Sequence, residues 1–252
     1  MLQYPELQSA PMGAALVLFS AGQDSSIALA WALQRFRLVE TIGFAYGQRH
    51  AVEMLARPRM REAVAALAPQ GAARLGADHV VDLSSFGALA ASALTRDEPI
   101  AEREGALPNT FVPGRNIVFF TYAAALAAQR SLDVLVGGMC EADFSGYPDC
   151  RANTLEAAER TLQLALDRPS LQIATPLMHL SKAQSWVLAQ ALGGEALVEL
   201  VRVHTHTCYE GVRDVLHAWG YGCGACPACV LRARGWRDYA GGREPAGATR
   251  CS

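Results

Sequence analysis

Lys182 is the only lysine among 252 residues, four cysteines crowd between positions 208 and 229, and a small-residue turn, Ser20-Ala21-Gly22-Gln23-Asp24-Ser25, joins an apolar run to a helical one. Each of these groups suits a definite chemistry. A turn of small residues between a strand and a helix lets backbone N–H groups point at an anion, and the helix dipole favours negative charge at that end. Ser20, Ser25 and Ser26 add hydroxyl donors. Asp24 repels a phosphate unless a Mg²⁺ bridges the two, so its place in the turn predicts a magnesium-bound polyphosphate. The turn matches neither Gly-Lys-Ser/Thr nor G-x-G-x-x-G. On spacing alone, an ordinary strand-to-helix turn capped by Asp24 or Ser25 fits equally.

Cys223-x-x-Cys226-x-x-Cys229 lies in a Gly-rich stretch expected to be nonhelical, and fourteen residues separate Cys223 from Cys208. Four thiolates match a closed, structural zinc site with no open coordination position. Iron–sulfur clusters also use C-x₂-C-x₂-C runs, but no Cys-Pro follows this one, which favours zinc. His204 and His206 are alternatives to Cys208 as fourth ligand, or solvent-facing residues on a short strand. Cys140 and Cys150 read either as small apolar residues or as nucleophiles.

Ser181-Lys182-Ala-Gln184 has the form of a capping box, with Ser181 as N-cap and Gln184 at N3. Lys182 then lies in the first helical turn, where the dipole disfavours a cation by roughly 0.3–1 kcal/mol. A bound anion reverses that sign, and solvation of the amine is the alternative. Arg115 and Asn116 fall at the start of a long apolar helix. Glu141, Asp143, Asp149 and Arg151 follow a predicted strand.

The elements that must position these groups alternate. Strands are expected at Ala15–Phe19, Thr41–Tyr46, His79–Leu83, Asp133–Gly137 and Leu171–Ala174. Helices are expected at Ser25–Gln34, His50–Leu67 with a break or kink near Pro58, Arg115–Arg130, Arg151–Leu166 and Ser181–Leu192. Such alternation predicts an α/β fold, a parallel sheet with helices on both faces, and ligands beyond the carboxyl ends of the strands. The long connections Ser84–Gly114 and Met139–Asp149 are expected to be functional. The domain reading is an α/β unit over 1–200, a zinc lobe over 201–239 and a disordered tail over 240–252.

Composition narrows the function. Hydrophobic residues make up 51% and charged residues 18%, which excludes an intrinsically disordered chain. The formal net charge of -2 argues against a broad grip on nucleic-acid phosphate. No apolar run is long enough to cross a bilayer, and no basic segment precedes the first apolar stretch, so the expectation is a cytoplasmic protein away from membranes.

SAGQDS resembles the SGGxDS pyrophosphate loop of the N-type ATP pyrophosphatases, which cleave ATP to AMP and pyrophosphate while activating an acyl or carbonyl oxygen. Within that superfamily the chain resembles the 7-cyano-7-deazaguanine synthases from about Leu16 to Tyr239. The likeness is carried by FSAGQDS, YGQRH at Tyr46–His50, ALTR at Ala93–Arg96, LPNTFVPGRN at Leu107–Asn116, CEADFSGYPDCR at Cys140–Arg151, TPLMHLSKAQSW at Thr175–Trp186, and the CY-plus-CxxCxxC end. It departs at Ala21, where glycine is usual, and in a longer stretch between Cys208 and Cys223.

The resemblance implies a Rossmann-like, adenine nucleotide alpha hydrolase-like domain with a small C-terminal zinc-binding lobe. It implies conversion of 7-carboxy-7-deazaguanine and ammonia to 7-cyano-7-deazaguanine with two ATP, giving two AMP and two pyrophosphate, by a homodimer using ATP with Mg²⁺ and structural Zn²⁺. Phe19 to Leu29 (Phe19, Ser20, Ala21, Gly22, Gln23, Asp24, Ser25, Ser26, Ile27, Ala28, Leu29) would form the nucleotide loop. Lys182, Arg115 and Asp24 would carry catalysis, Glu141, Asp143, Asp149 and Arg151 would meet substrate, and Cys208, Cys223, Cys226 and Cys229 would bind the metal. Relatives that stop at the amide, pass the activated ring to a macromolecule, or modify a nucleobase in RNA share the same activating machinery.

Overall fold

The computed structural model of the chain describes residues 12–48, 52–90, 92–96, 98–100, 107–141 and 147–242. Asp143, His50 and most of the tail fall outside them.

Five parallel strands form the central sheet in the order β3-β2-β1-β4-β5: β1 Met12–Leu18, β2 Phe36–Ala45, β3 Leu75–Asp82, β4 Val134–Val136 and β5 Gln172–Ala174. Alternate residues of β1 serve two cores, because side chains of a strand point to opposite faces. Ala15 and Val17 pack with α1 (Gln23–Arg35), α2 (Val52–Leu67) and α7 (Lys182–His204), whereas Leu16 and Leu18 pack with α5 (Arg115–Arg130) and α6 (Ala152–Ala165). Short helices α3 (Gly71–Arg74) and α4 (Ser84–Leu89) flank β3. The predicted doubly covered parallel sheet is therefore present.

β2 and β3 begin four to five residues before the runs expected at Thr41 and His79. The reason is a charged strand residue made tolerable by pairing: Glu40 is buried and bonds Arg130 and His79 across neighbouring elements. α2 is continuous through Pro58. α7 passes the expected end at Leu192, bends where Gly193 and Gly194 leave helical geometry, and resumes to His204.

The chain turns toward β2 after β1 and later returns to place β4 on β1's other side. The topology reverses there, which opens a crevice at the carboxyl ends of β1 and β4. Gly138, just past β4, lies so near α1 that a Cβ on it would stand 2.9 Å from the Asp24 carbonyl carbon. Glycine is required for that approach.

Beyond α7 lie a two-stranded hairpin, β6 (Leu216–His217) with β7 (Gly220–Tyr221), and helix α8 (Pro227–Ala240). The CxxCxxC segment is not wholly nonhelical: Cys226 caps α8, Pro227 occupies its first position and Cys229 lies in its first turn. Arg232 of α8 is fully buried, and among the described residues it donates to neutral oxygens. Its guanidinium donates to the carbonyls of Val201, Arg202 and Trp219 and to the hydroxyls of Thr205 and Thr207. It thereby ties α8 to the carboxyl end of α7, where the dipole favours a cation.

Candidate active site

The loop after β1 closes on itself through hydroxyls. Ser20 N–H donates to Ser25 Oγ at 3.3 Å, the two serine hydroxyls stand 3.2 Å apart, and Gly22 N–H donates to Ser20 Oγ at 3.3 Å. Gly22 caps α1 with extended backbone, so neither Asp24 nor Ser25 is the N-cap. Asp24 instead sits in the first turn of α1, and both its oxygens accept from Lys182 Nζ, at 2.9 and 2.8 Å. The predicted capping box places that lysine: Ser181 Oγ accepts from Gln184 N–H at 3.3 Å, and Gln184 Oε1 accepts from Ser181 N–H at 2.8 Å. Gln23 Nε2 donates to Ser185 Oγ at 3.2 Å, a second tie between the loop and α7. Lys182 is 8% exposed and Asp24 31%. Desolvation and the unfavourable dipole are thus both offset by a carboxylate at contact distance.

A cavity of about 320 Å³ opens over this pair. Ser20, Asp24, Ser25 and Lys182 line one side, Arg115 and Asn116 another, and Phe44, Tyr46, Phe119, Tyr147 and Tyr209 supply aromatic walls. The Phe44 and Phe119 rings are stacked at 4.2 Å, and the Arg115 guanidinium lies 6.0 Å from the centre of the Tyr46 ring. Burial pushes the Arg115 pKa down, but Tyr46, Cys150, Tyr147 and Asp149 outweigh it, so the group is held as a cation. Cys150 also faces the cavity, and burial, reinforced by Asp149, pushes its thiol up to about 11. It is protonated at neutral pH, which disfavours a nucleophilic role. Cys140 lines the same cavity and donates to the Leu180 carbonyl at 2.8 Å.

The other sequence-predicted residues are placed as follows. Phe19 lines the cavity, whereas Ile27, Ala28 and Leu29 of α1 are fully buried in the core, and Ser26 of the same helix is buried beside them. Asp149 is buried, and its Oδ2 accepts from the Asn116 backbone N–H at 3.0 Å, capping α5. Glu141 is exposed and its carboxylate accepts from Ala152 N–H at 3.2 Å, at the start of α6. Arg151 is exposed at the cap of α6. Thr110 and Tyr147 join the two long loops by a hydroxyl pair at 2.6 Å. The aromatic walls, Thr207 and Tyr209 were not singled out by residue type; Tyr46, Tyr147 and Tyr209 sit in or beside quoted motifs, and Thr207 and Tyr209 flank the cysteine Cys208.

Ala21 has φ of 65°, the left-handed region that favours glycine. The strain costs roughly 1–2 kcal/mol. Against it, the Ala21 methyl is 1% exposed within the core, a burial contribution of about 0.8 kcal/mol, and glycine would add about 0.4–1 kcal/mol of unfolded-chain freedom. These terms nearly cancel. Ala21→Gly is therefore expected to leave the thermal midpoint within about 4 °C and the KM for ATP within about threefold, by melting curves and steady-state kinetics.

The sulfurs of Cys208, Cys223, Cys226 and Cys229 all lie within 4.8 Å of one another, and those of Cys223 and Cys229 are 3.9 Å apart. A tetrahedron with zinc–sulfur bonds of about 2.3 Å has edges near 3.8 Å, so one zinc fits. A polynuclear cluster, whose cysteines bind separate irons, needs wider spacing. Backbone N–H groups of Cys223, Ala225 and Cys226 point at the sulfurs and favour thiolates. The hydrogen bond between Cys226 and Cys229 pulls the Cys226 thiol's pKa down and pushes that of Cys229 up. His204 is exposed at the end of α7 and His206 is buried. Neither histidine belongs to the sulfur group, and the short solvent-facing strand expected there is a helix end followed by a buried turn.

A model of the family described as queuosine biosynthesis protein QueC matches residues 14–240. The 7-cyano-7-deazaguanine synthase of Caulobacter vibrioides (strain NA1000 / CB15N) is 62% identical over 232 residues, covering 92% of this chain and 96% of that one. The protein of the same name from Hyphomonas neptunium is 56% identical over 236 residues, covering 94% and 98%. Among solved structures, a 4-thiouridine synthetase–RNA complex with bound ATP aligns with TM-score 0.47 and 18% identity, over 74% of this chain and 42% of that one.

Proposed function

The chain belongs to the queuosine biosynthesis protein QueC family, and from that premise we propose that it converts 7-carboxy-7-deazaguanine to 7-cyano-7-deazaguanine at the crevice over the phosphate loop. The observation that carries the reading is the Lys182–Asp24 pair at the mouth of that loop, inside one cavity with Arg115 and an aromatic wall. Two ATP are consumed. The substrate carboxylate attacks the α-phosphorus of the first, its oxygen displaces pyrophosphate, and the acyl adenylate forms. Ammonia adds to that carbonyl carbon and AMP leaves with the oxygen, giving the amide. The amide oxygen attacks the α-phosphorus of a second ATP and displaces its pyrophosphate, and loss of AMP and two N–H protons leaves the nitrile. Both carboxylate oxygens thus depart on AMP.

The protein's tasks are positioning and charge neutralisation. Lys182 and Arg115 offset charge on the α-phosphate as it is attacked. Backbone N–H groups and hydroxyls of Ser20, Gly22 and Ser25 hold pyrophosphate. A Mg²⁺ carried in with the nucleotide would be held by Asp24, since one carboxylate with phosphate oxygens suits that ion, and it would neutralise the phosphates. With that ion bound, Asp24 would release the Lys182 amine to the phosphate. Zn²⁺ held by Cys208, Cys223, Cys226 and Cys229 would have no open position and would supply structure. Aromatic residues Tyr46, Phe119 and Tyr209 face the flat ring of the substrate. Ammonia is the nitrogen source, the working form is a homodimer, and the site of action is the cytoplasm. Residues 1–200 form the ATP-binding unit and 201–239 the zinc lobe. Among the described residues no helix is long and apolar enough to cross a membrane.

Asp149 Oδ1 is buried with no hydrogen-bond partner among the described residues, which suits an acceptor for a ring or amino N–H of the substrate. Asp149→Asn keeps one carbonyl oxygen for the α5 cap but removes the anionic acceptor. It is expected to raise the KM for the carboxylate about tenfold or more with little change in the KM for ATP. Equal KM values in both proteins would remove Asp149 from substrate recognition.

The function is tested by incubating purified protein with ATP, Mg²⁺, ammonium and the carboxylate and following mass and nucleotides together. Nitrile with two AMP per product supports the reading. Product held at the amide, or AMP release without change to the deazaguanine, contradicts it.

A further inference from the structure

Gly235 lies in the interior of α8, where glycine is disfavoured relative to alanine, and its φ is not in the left-handed region. No backbone conformation explains it. What does is proximity: a Cβ built on Gly235 would stand 2.6 Å from Lys182 Cβ, 2.7 Å from Cγ and 2.9 Å from the Lys182 carbonyl carbon. These neighbours are the root of the side chain and the backbone, which cannot swing aside as a flexible tip would. We propose that Gly235 is a positioning residue for Lys182, its bare backbone forming the surface on which the lysine stem is seated.

The same face of α8 makes the arrangement rigid. Cys229 in the first turn belongs to the sulfur cluster, Arg232 one turn on grips the end of α7, Gly235 one turn further meets Lys182, and Trp236 packs edge-on against Trp186 of α7 at 5.0 Å. Six residues of helix carry this line about 9 Å from the metal ligand to the lysine stem. From there the amine reaches Asp24. The zinc lobe is therefore a back-plate for the catalytic cation, and a shift of α8 moves Lys182 against the phosphate loop. The inference rests on the role proposed above for Lys182.

Because Lys182 is the chain's only lysine, protein labelled with ¹³C at lysine Cε gives one lysine signal, a direct reporter of its surroundings. Gly235→Ala is expected to shift that signal and to lower kcat at least 30-fold, with KM for ATP within threefold and zinc at one per chain. Arg234→Ala, on the exposed side of the same helix, leaves signal and rate unchanged. In a Lys182→Met background, adding Gly235→Ala costs less than twofold further, since the group it displaces is gone. An unshifted signal, a kcat within twofold of the parent, or the same fold-loss in both backgrounds overturns the proposal. A near-normal rate for Lys182→Met alone instead overturns the role of the lysine. If Gly235→Ala does not fold, Lys182→Gly, which removes the opposing Cβ and Cγ, restores a zinc-loaded soluble protein in the double variant. Failure to restore it puts the exclusion on the Lys182 backbone carbonyl carbon, 2.9 Å away, and not on the side-chain stem, which overturns the proposal.

Discussion

Lys182→Met lowers kcat by about 10²–10³, the range for removing one preorganised group that stabilises developing charge. The fold survives the change. Methionine matches the stem in length and lacks a branch, the capping box of Ser181 and Gln184 does not involve the substituted side chain, and Asp24, a third exposed, regains water in place of the amine. Loss of the ion pair is therefore expected to cost little stability, while on the role proposed for Lys182 loss of the cation would remove the charge facing the attacked phosphorus. The KM for the carboxylate changes less than kcat, because the amine acts where charge develops and not where the ring is held. Single-turnover nucleotide release with matched circular dichroism checks both halves. A rate within threefold of the parent would take Lys182 out of the chemistry.

Cys229→Ser is expected to abolish zinc retention and, with it, activity by more than 100-fold. Cys229 is fully buried at the centre of the lobe, and its helix begins at another ligand, Cys226. Structural zinc supplies about 10–16 kcal/mol of apparent binding free energy, so an incomplete site leaves the lobe without its main constraint. Thr207, Tyr209, Ala228 and Leu231 of that lobe line the active cavity, which makes the damage catalytic as well as structural. A net loss of 3–5 kcal/mol would lower the thermal midpoint by about 10 °C for a chain of this size. Metal analysis, melting curves and turnover, each with and without added zinc or a chelator, provide the check. Parent-like turnover in a zinc-free variant would mean that the lobe stands without the ion.

Local chemistry legible in the sequence survives into the fold wherever near neighbours set it. The Ser181–Gln184 capping box depends on residues three apart, and the helix over Arg115–Arg130 on a continuous apolar periodicity; both stand as expected. The four cysteines cluster because their spacing already confines three of them to one turn. Distant pairing was not legible. Glu40 enters a strand because Arg130, ninety positions away, neutralises it, and Glu141 leaves the cavity because the open end of α6 takes its carboxylate. Lys182 meeting Asp24 across 158 positions follows from α1 and α7 packing together on one sheet face, which composition and periodicity do not encode. Gly235 carried no signal in the sequence either, since only the packed partner shows why a side chain is excluded.

On the proposed chemistry, both oxygens of the carboxylate are removed by adenylation in one site. The most direct test supplies the acid with ¹⁸O in both carboxylate positions and reads the AMP by mass. Adenylation of both oxygens gives two singly labelled AMP per nitrile and no label in water. Label in only one AMP, or in water or pyrophosphate, would contradict it.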